Sequence, residues 1–546
     1  MKVIAAVLAD FEGALLGGPS RLGERLGSRP ILHHTLRRAA QIAGVERRVL
    51  CVSPRDAQAA AAALRESGVE ERVSLVEIDA GHRPRLELIR CARKWNLHAW
   101  RGAPLGMTYF DEFVEPIVAG RVLISCEADA VLCIDAHSPA FDAAIADQMV
   151  RHLSESGGDA AFVVTQAPPG LAGIVLTREV VQALVQAGAP AGVLLSYRPE
   201  TPRADPIARA ECVRVPADIY ETRARLTGDT RRSRELLAAA FKRAGEDCTA
   251  LELCRTLRTL DGASDPLPPE VEIELTNDDP LPGTTLRPRG GRAGSRRLAD
   301  FDALGRLGAE LAAYDDRLVV LAGHGDPLLH PRFAEACGRL RAAGVCGLAV
   351  ATPLVELPEA ACAALFEHRV DVVEVQLDAD SAETYRRVNR RDGFEQVVGN
   401  VERLRSLRRE RASPAPIVIP SMTRCEATMA EVETFFDRWT AAVGSAVLHG
   451  HNDYGGRVAP DSLLSFAPTV RGPCRRLGGR LTLLADGKVA QCGQDVAGAS
   501  PLGDWTREPL RAIWAGETLS RLRRIHEEQA WAGQELCQSC QQWFRP

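Results

Sequence analysis

Leu318-Val-Val-Leu-Ala-Gly-His-Gly-Asp-Pro-Leu-Leu-His-Pro331 is the stretch on which the fold of this chain turns. The apolar run Leu318 to Ala322, bounded by glycine, has the pattern of a strand buried on both faces. Gly323 and Gly325 allow a tight turn, and backbone without a Cβ can approach a ligand closely. From Pro331 to Ala343 the pattern is helical. Strand, glycine turn and helix in that order are the unit of a parallel sheet covered by helices.

The same unit recurs on both sides. Glu272 to Thr276, Gly347 to Ala351, Val370 to Leu377, Pro416 to Ile419 and Ser445 to Leu448 are further predicted strands, with helices between them such as Phe394 to Glu410. Six strand–helix repeats predict a partial parallel barrel rather than a short open sheet. Upstream, Val3 to Leu8, Arg48 to Ser53, Arg72 to Ile78 and Ala130 to Ile134, which ends at Asp135, are predicted strands. Helices are predicted over Pro30 to Ala43 and Asp56 to Ser67, so this half is also α/β. Turn-rich, proline-rich sequence at 262–270 predicts a boundary. The expected organisation is a domain 1–247, a linker 248–270, a barrel 271–450 and a small cysteine-rich domain 451–546.

Composition narrows the function classes. In 546 residues, 46% are hydrophobic and 25% charged, values of a folded globular chain. A net charge of -5 provides no basic field for nucleic acid or anionic lipid. No window approaches 18 uninterrupted apolar residues, and the apolar run in MKVIAAVLADFEG is too short for a signal peptide. The expectation is a cytoplasmic protein with no nucleic-acid or membrane partner, in which thiols stay reduced. Lysine occurs only at 2, 94, 242 and 488, so arginine carries almost all the positive charge.

There are 15 cysteines, and four lie near the end: Cys474, Cys492, Cys537 and Cys540. Cys537-Gln-Ser-Cys540 is a CxxC, whose two thiolates can share one metal centre. Between Cys474 and Cys492, Leu481 to Gln491 reads as a β-hairpin turning at Asp486-Gly487. Such a hairpin returns Cys492 toward Cys474. Four thiolates suit zinc and an iron–sulfur cluster equally, and spacing alone leaves both open.

Here the sequence resembles a known family. Cys474, Gly487 and Cys492 in their spacing, Pro501-Leu-Gly-Asp, Pro509-Leu-Arg-Ala-Ile-Trp514 and Leu536-Cys-Gln-Ser-Cys-Gln-Gln-Trp543 resemble the SPASM domain. That domain holds auxiliary iron–sulfur clusters in radical S-adenosylmethionine (SAM) enzymes. The cysteines that follow the CxxC in a full SPASM domain are missing, so the pattern is similar to the shortened "twitch" form. The resemblance implies one 4Fe-4S cluster on Cys474, Cys492, Cys537 and Cys540. Upstream, Leu321 to Pro331 resembles the "GGEPLLHP" segment of radical SAM barrels. The resemblance implies that Gly323, Gly325, Asp326 and Pro327 lie where the SAM amino group is held. Asp371 to Asp380, Glu383-Thr-Tyr-Arg-Arg-Val and Gly393 to Leu404 resemble later stretches of the same barrel.

One departure stands out. The CxxxCxxC of the radical SAM family falls here at Asp279, Gly283 and Leu286. Cleavage of SAM by the usual route is therefore not expected, although a barrel can bind SAM without radical chemistry. In the first domain, Leu15 to Gly23 and Gly27 to Leu36 resemble the cytidylyltransferase and GT-A type nucleotidyltransferases. Ser20, Arg21 and Leu22 match, while Glu24 and Arg25 stand where a lysine is expected and Arg29 is not equivalent. The resemblance implies that Asp135 and Asp229 are the carboxylates for Mg²⁺. The three-part order also resembles the spiro-SPASM proteins, which lack the barrel cysteines too.

The sequence therefore predicts a Rossmann-like nucleotidyltransferase domain, a partial (β/α)6 barrel and a SPASM/twitch domain. Its expected role is that of an iron–sulfur pseudoenzyme in redox, substrate presentation or scaffolding. The substrate is a small molecule, nucleotide sugar or peptide, and no catalytic residue is assigned. The alternative is an active Mg²⁺-dependent nucleotidyl- or glycosyltransferase with a regulatory C-terminal half.

Overall fold

The computed structural model describes residues 1–79, 83, 85–260, 265–289, 298–462 and 467–545. It divides into two compact units, Met1–Ser264 and Asp265–Pro546. Among the described residues no helix is long and apolar enough to cross a membrane.

The first unit is built on a seven-stranded sheet. Its strands are β1 (Val3–Leu8), β2 (Arg47–Val52), β3 (Ser74–Glu77), β4 (Ala130–Asp135), β5 (Phe162–Thr165), β6 (Ile174–Thr177) and β7 (Cys212–Val213), in the order β3-β2-β1-β4-β6-β5-β7. β1 pairs in parallel with both β2 and β4, whereas β6 runs antiparallel to β4 and β5. Alternate residues of β1 feed two cores. Val3, Ala5 and Val7 pack on one face, Ile4 and Ala6 on the other. That is why the strand reads as a continuous apolar run. The chain leaves β1 toward β2 on one side and receives β4 on the other. A crevice opens at the carboxyl ends of the strands at such a switch point.

One expectation is corrected here. Residues expected in a linker 248–270 include a helix, α1 (Ala250–Thr259), that belongs to this unit. Thr249 and Glu252 form a capping box at its start. Its Ala250, Leu253 and Cys254 join the core beneath β1. Residues 261–264 of the expected linker lie outside the described residues.

The second unit is one nine-stranded sheet. It contains β8 (Glu270–Glu274), β9 (Leu318–Ala322), β10 (Gly347–Thr352), β11 (Val372–Gln376), β12 (Ile417–Arg424), β13 (Val447–Gly450), β14 (Arg480–Leu483), β15 (Lys488–Ala490) and β16 (Gly503–Asp504). β8 to β13 are the six expected strands, each parallel to the next. Beyond them β14 adds in parallel to the free side of β8, and β15 and β16 continue antiparallel. The expected separate domains 271–450 and 451–546 thus share a sheet. They also share a core, because Leu481, Leu483, Trp505 and Trp514 pack in the same cluster as Val271, Ile273 and Leu321. Along β8, Val271 and Ile273 take the apolar side while Glu270, Glu272 and Glu274 point to the other face. The inner face is therefore polar.

Candidate metal centre and barrel mouth

The four C-terminal cysteines come from three segments. Cys474 precedes β14, and Cys492 follows β15. The hairpin between them turns at Gly487, whose φ of +93° suits glycine alone. Cys537 lies in the short helix Glu535–Gln538, and its carbonyl accepts from the Cys540 N–H at 3.2 Å. Arg471 donates to the carbonyls of Cys537 and Gln538 at 2.6 and 3.2 Å and lies 4.4 Å above the Trp531 ring. The Arg475 N–H donates to the Trp543 carbonyl at 2.9 Å, tying the Cys474 segment to the CxxC segment.

These thiols act on one another. Burial first, and then the charges of Cys474 and Cys537, push Cys492 up to about 12. Burial and the charges of Cys474 and Cys540 push Cys537 up to about 11. Cys540 is raised by burial and by Cys474. Three of the four sulfurs also have a donor nearby. Gln494 N–H donates to Cys492 Sγ at 3.4 Å, Gln542 N–H to Cys540 Sγ at 3.3 Å, and Gln491 Nε2 to Cys537 Sγ at 3.5 Å. Arg476 favours ionisation of Cys492 and Cys540. Among the described residues no group of three or more His, Cys, Asp or Glu is placed so as to hold a metal ion. The donor set still suits a four-thiolate centre. Buried thiols that resist ionisation and repel as anions become a stable set only around a cation. N–H donors to sulfur are the partners that tune such a centre.

Among the described residues the barrel mouth offers no second set. Asp279 is ion-paired to Arg289 at 3.0 Å, and both side chains are buried. Gly283 packs on Arg390, and Leu286 is buried with Val388 and Cys425. Arg289 also donates to Gln376, while Arg287 pairs with Asp378 and donates to Thr423 Oγ1 at 3.2 Å. Two guanidiniums and their partners thus fill the mouth, and the residues there do not fit a SAM-cleaving cluster.

Gly323, Gly325, Asp326 and Pro327 sit beside it. A Cβ on Gly325 would lie 2.2 Å from the Thr276 carbonyl oxygen, and one on Gly323 would lie 2.8 Å from Glu274 Cβ. The close approach these glycines allow is to β8 and the loop after it. Pro327 opens a short 3-10 turn whose cap is Asp326, which accepts from Leu328 N–H at 3.1 Å. Burial outweighs that bond and the Thr352 hydroxyl and pushes Asp326 up to about 7. Glu274 accepts from the N–H groups of His324 and Ala485 at 3.1 and 3.3 Å. Glu374 receives His449 Nε2 at 2.7 Å, which outweighs burial and holds it down to about 2. Arg480 pairs with Glu270 at 2.6 Å from the added strand β14.

In the first unit, Asp135 and Asp229 are both taken up by protein donors. Asp135 accepts from Tyr109 Oη at 2.9 Å, Ser138 Oγ at 3.3 Å and His137 N–H at 2.8 Å. Asp229 is gripped by Arg225 through Nε at 3.0 Å and Nη2 at 2.7 Å, and also accepts from Thr227. Burial pushes Asp229 up, but the Arg225 guanidinium outweighs it and holds the carboxyl at about 2. Arg225 reaches Glu112 at 2.6 Å as well, and Arg93 reaches the same Glu112 at 2.7 Å. A guanidinium takes Asp229, and Tyr109, Ser138 and His137 take Asp135, so these residues as placed do not fit Mg²⁺. Sequence reading missed Arg225, Glu112, Arg287, Arg289 and Arg480. Only Arg225 left a local signal, four residues before Asp229.

Comparison with known proteins agrees with the second unit. Residues 287–432 match the family model of the radical SAM superfamily, and residues 474–541 match that of SPASM, an iron-sulfur cluster-binding domain. These domains imply iron–sulfur clusters and SAM binding. An uncharacterized protein of Treponema pallidum (strain Nichols) is 23% identical over 323 residues, 57% of this chain and 87% of that one. Among solved structures, a cytidylyltransferase from Leptospira borgpetersenii is similar over 47% of this chain and 92% of its own, at 14% identity and a TM-score of 0.32. Streptococcus suis SuiB bound to precursor peptide SuiA is similar over 63% of this chain and 79% of its own, at 9% identity and a TM-score of 0.40.

Proposed function

We propose that this chain is an iron–sulfur protein holding one 4Fe-4S cluster on Cys474, Cys492, Cys537 and Cys540, beside a barrel that does not generate radicals from SAM. The approach of the hairpin to the CxxC segment, with Gln491 beside Cys492 donating to Cys537 Sγ at 3.5 Å, carries the reading. When bound, the cluster supplies one-electron redox chemistry. The chain's own part is to hold it. The segment before β14 brings in Cys474, the end of the β14–β15 hairpin brings in Cys492, the CxxC segment brings two more, and N–H donors from Gln491, Gln494 and Gln542 stabilise sulfur charge.

The acidic inner face and the Arg287–Asp378 and Arg289–Asp279 pairs support ligand binding or presentation rather than bond cleavage. The positive charge of an ammonium beside Asp326 would favour its carboxylate and release its proton to solvent, which links the binding of SAM or another amine to ionisation there. The role is redox, substrate-presenting or scaffolding, in the cytoplasm, on a small molecule or peptide. The Arg225 clamp on Asp229 opposes a Mg²⁺-dependent transferase.

Iron and sulfide analysis with electron paramagnetic resonance on anaerobically prepared protein tests this. About four irons per chain are expected, with the signal lost in Cys537→Ser. One tight zinc and no iron would sink the proposal.

A further inference from the structure

Three guanidiniums meet where the CxxC segment reaches the last barrel strands. Arg424 ends β12, Gly450 ends β13, and the two are register partners. Arg545 lies against Gly450. Its Nη1 donates to the Gly450 carbonyl at 3.2 Å, and a Cβ on Gly450 would run into Nη2. Gln542 Nε2 donates to the His451 carbonyl at 3.1 Å, which fastens the same segment to the chain just after β13. Arg476 comes from the Cys474 segment, held alongside by the bond from Arg475 N–H to the Trp543 carbonyl.

These charges act on one another. Burial, and then the charges of Arg476 and Arg424, push Arg545 below the usual guanidinium range. Among the described residues the Tyr454 phenol opposes them, and no carboxylate does. Arg476 is matched by sulfur, since it acts on Cys492 and Cys540, as Arg471 acts on Cys537 and Cys540. A metal core on four thiolates carries about two negative charges, which Arg471 and Arg476 balance. Arg545 is left over. Its Nε and Nη2 make no hydrogen bond among the described residues. The segment therefore holds an open donor edge on a cation crowded by other cations, which is capacity for an anion.

We infer that Arg545, with Arg424 beside it, binds the carboxylate of a ligand at the rim of the barrel. The open edge, Nε with Nη2, is the edge by which Arg225 grips Asp229 in the first unit. One such fork matches one planar carboxylate, whereas a phosphate dianion calls for more donors than it offers. The place also suits a ligand, because Arg424 and Gly450 are carboxyl ends of parallel strands, the end at which α/β folds bind. The inference rests on the four-thiolate centre, whichever metal fills it, because that centre takes up Arg471 and Arg476.

Calorimetric titration of the anaerobically prepared full chain with N-acetyl-tetra-alanine, its C-terminal amide, propionate and inorganic phosphate tests it. At least one carboxylate is expected to bind, and the amide to bind at least about tenfold more weakly. Tighter binding of the peptide acid than of propionate identifies a peptide carboxylate, and the reverse a small organic acid. Arg545→Gln is expected to weaken carboxylate binding by about ten- to a hundredfold, with metal content unchanged. Arg409→Gln, on the outer helix Phe394–Glu410, is expected to have no effect. If Arg545→Gln fails to fold, Arg424→Gln is read in the same way. No carboxylate binding, equal binding of the amide, tighter binding of phosphate, or binding indifferent to the arginine variant overturns the inference. Loss of metal in step with affinity assigns Arg545 to the centre and overturns it too. A wild-type chain that binds the carboxylate but holds no metal sinks the four-thiolate centre alone.

Discussion

Two buried carboxyls carry opposite pH signatures. Asp229 is held at about 2, below the ordinary 3.8, so its contribution is present above about pH 4 and lost as pH falls toward 2. Acid unfolding of the first unit is expected to sharpen in that window. Arg225→Met should remove the acid step and destabilise the unit by about 3–5 kcal/mol, because Asp229 is left buried and unpaired. Chemical denaturation at pH 7 and pH 3 reads both effects. Asp326 is raised to about 7, so its contribution is present below about pH 4 and is lost as pH rises through 7. Asp326→Asn should flatten the pH dependence of the second unit's melting temperature between pH 4 and 8. An unchanged slope would refute the raised value.

At the scale of elements, the strands were legible because burial on both faces writes an unbroken apolar run. β1 and β9 have the predicted bounds, and the helix Phe394–Glu410 matches residue for residue. The hairpin was legible from Asp486-Gly487. The helix α1 was not, because the prolines at 266–269 masked the capping pair Thr249 and Glu252 just upstream. Nor could sequence show that β14 would lie beside β8, since parallel pairing leaves no turn signal. The four cysteines were readable by spacing, whereas Arg287–Asp378 joins residues 91 apart and has no local pattern. Arg480 is the side chain that crosses from the added hairpin to β8. Arg480→Met should cost the second unit about 1 kcal/mol through the loss of its ion pair with Glu270, measured by urea unfolding, with the first unit unaffected.

At the scale of the whole molecule, two compact units imply two unfolding events. Calorimetry on the full chain should show two transitions, and a chain cut before Cys474 should retain only the one belonging to Met1–Ser264. The reason is that Leu481, Leu483, Trp505 and Trp514 are part of the barrel's core, not of an appendage. A truncated chain that kept both transitions would show that the barrel closes without β14.

The pairing of β8 with β14 also sets a clock on synthesis. β8 is complete at Glu274, but its second neighbour begins only at Arg480. At 5–20 residues per second the ribosome leaves that edge bare for roughly 10–40 s. During that interval the nascent barrel presents an open strand to other chains. Slow translation between these two points should therefore favour aggregation, and a chaperone that shields strand edges should matter more for this half of the chain than for the half made first.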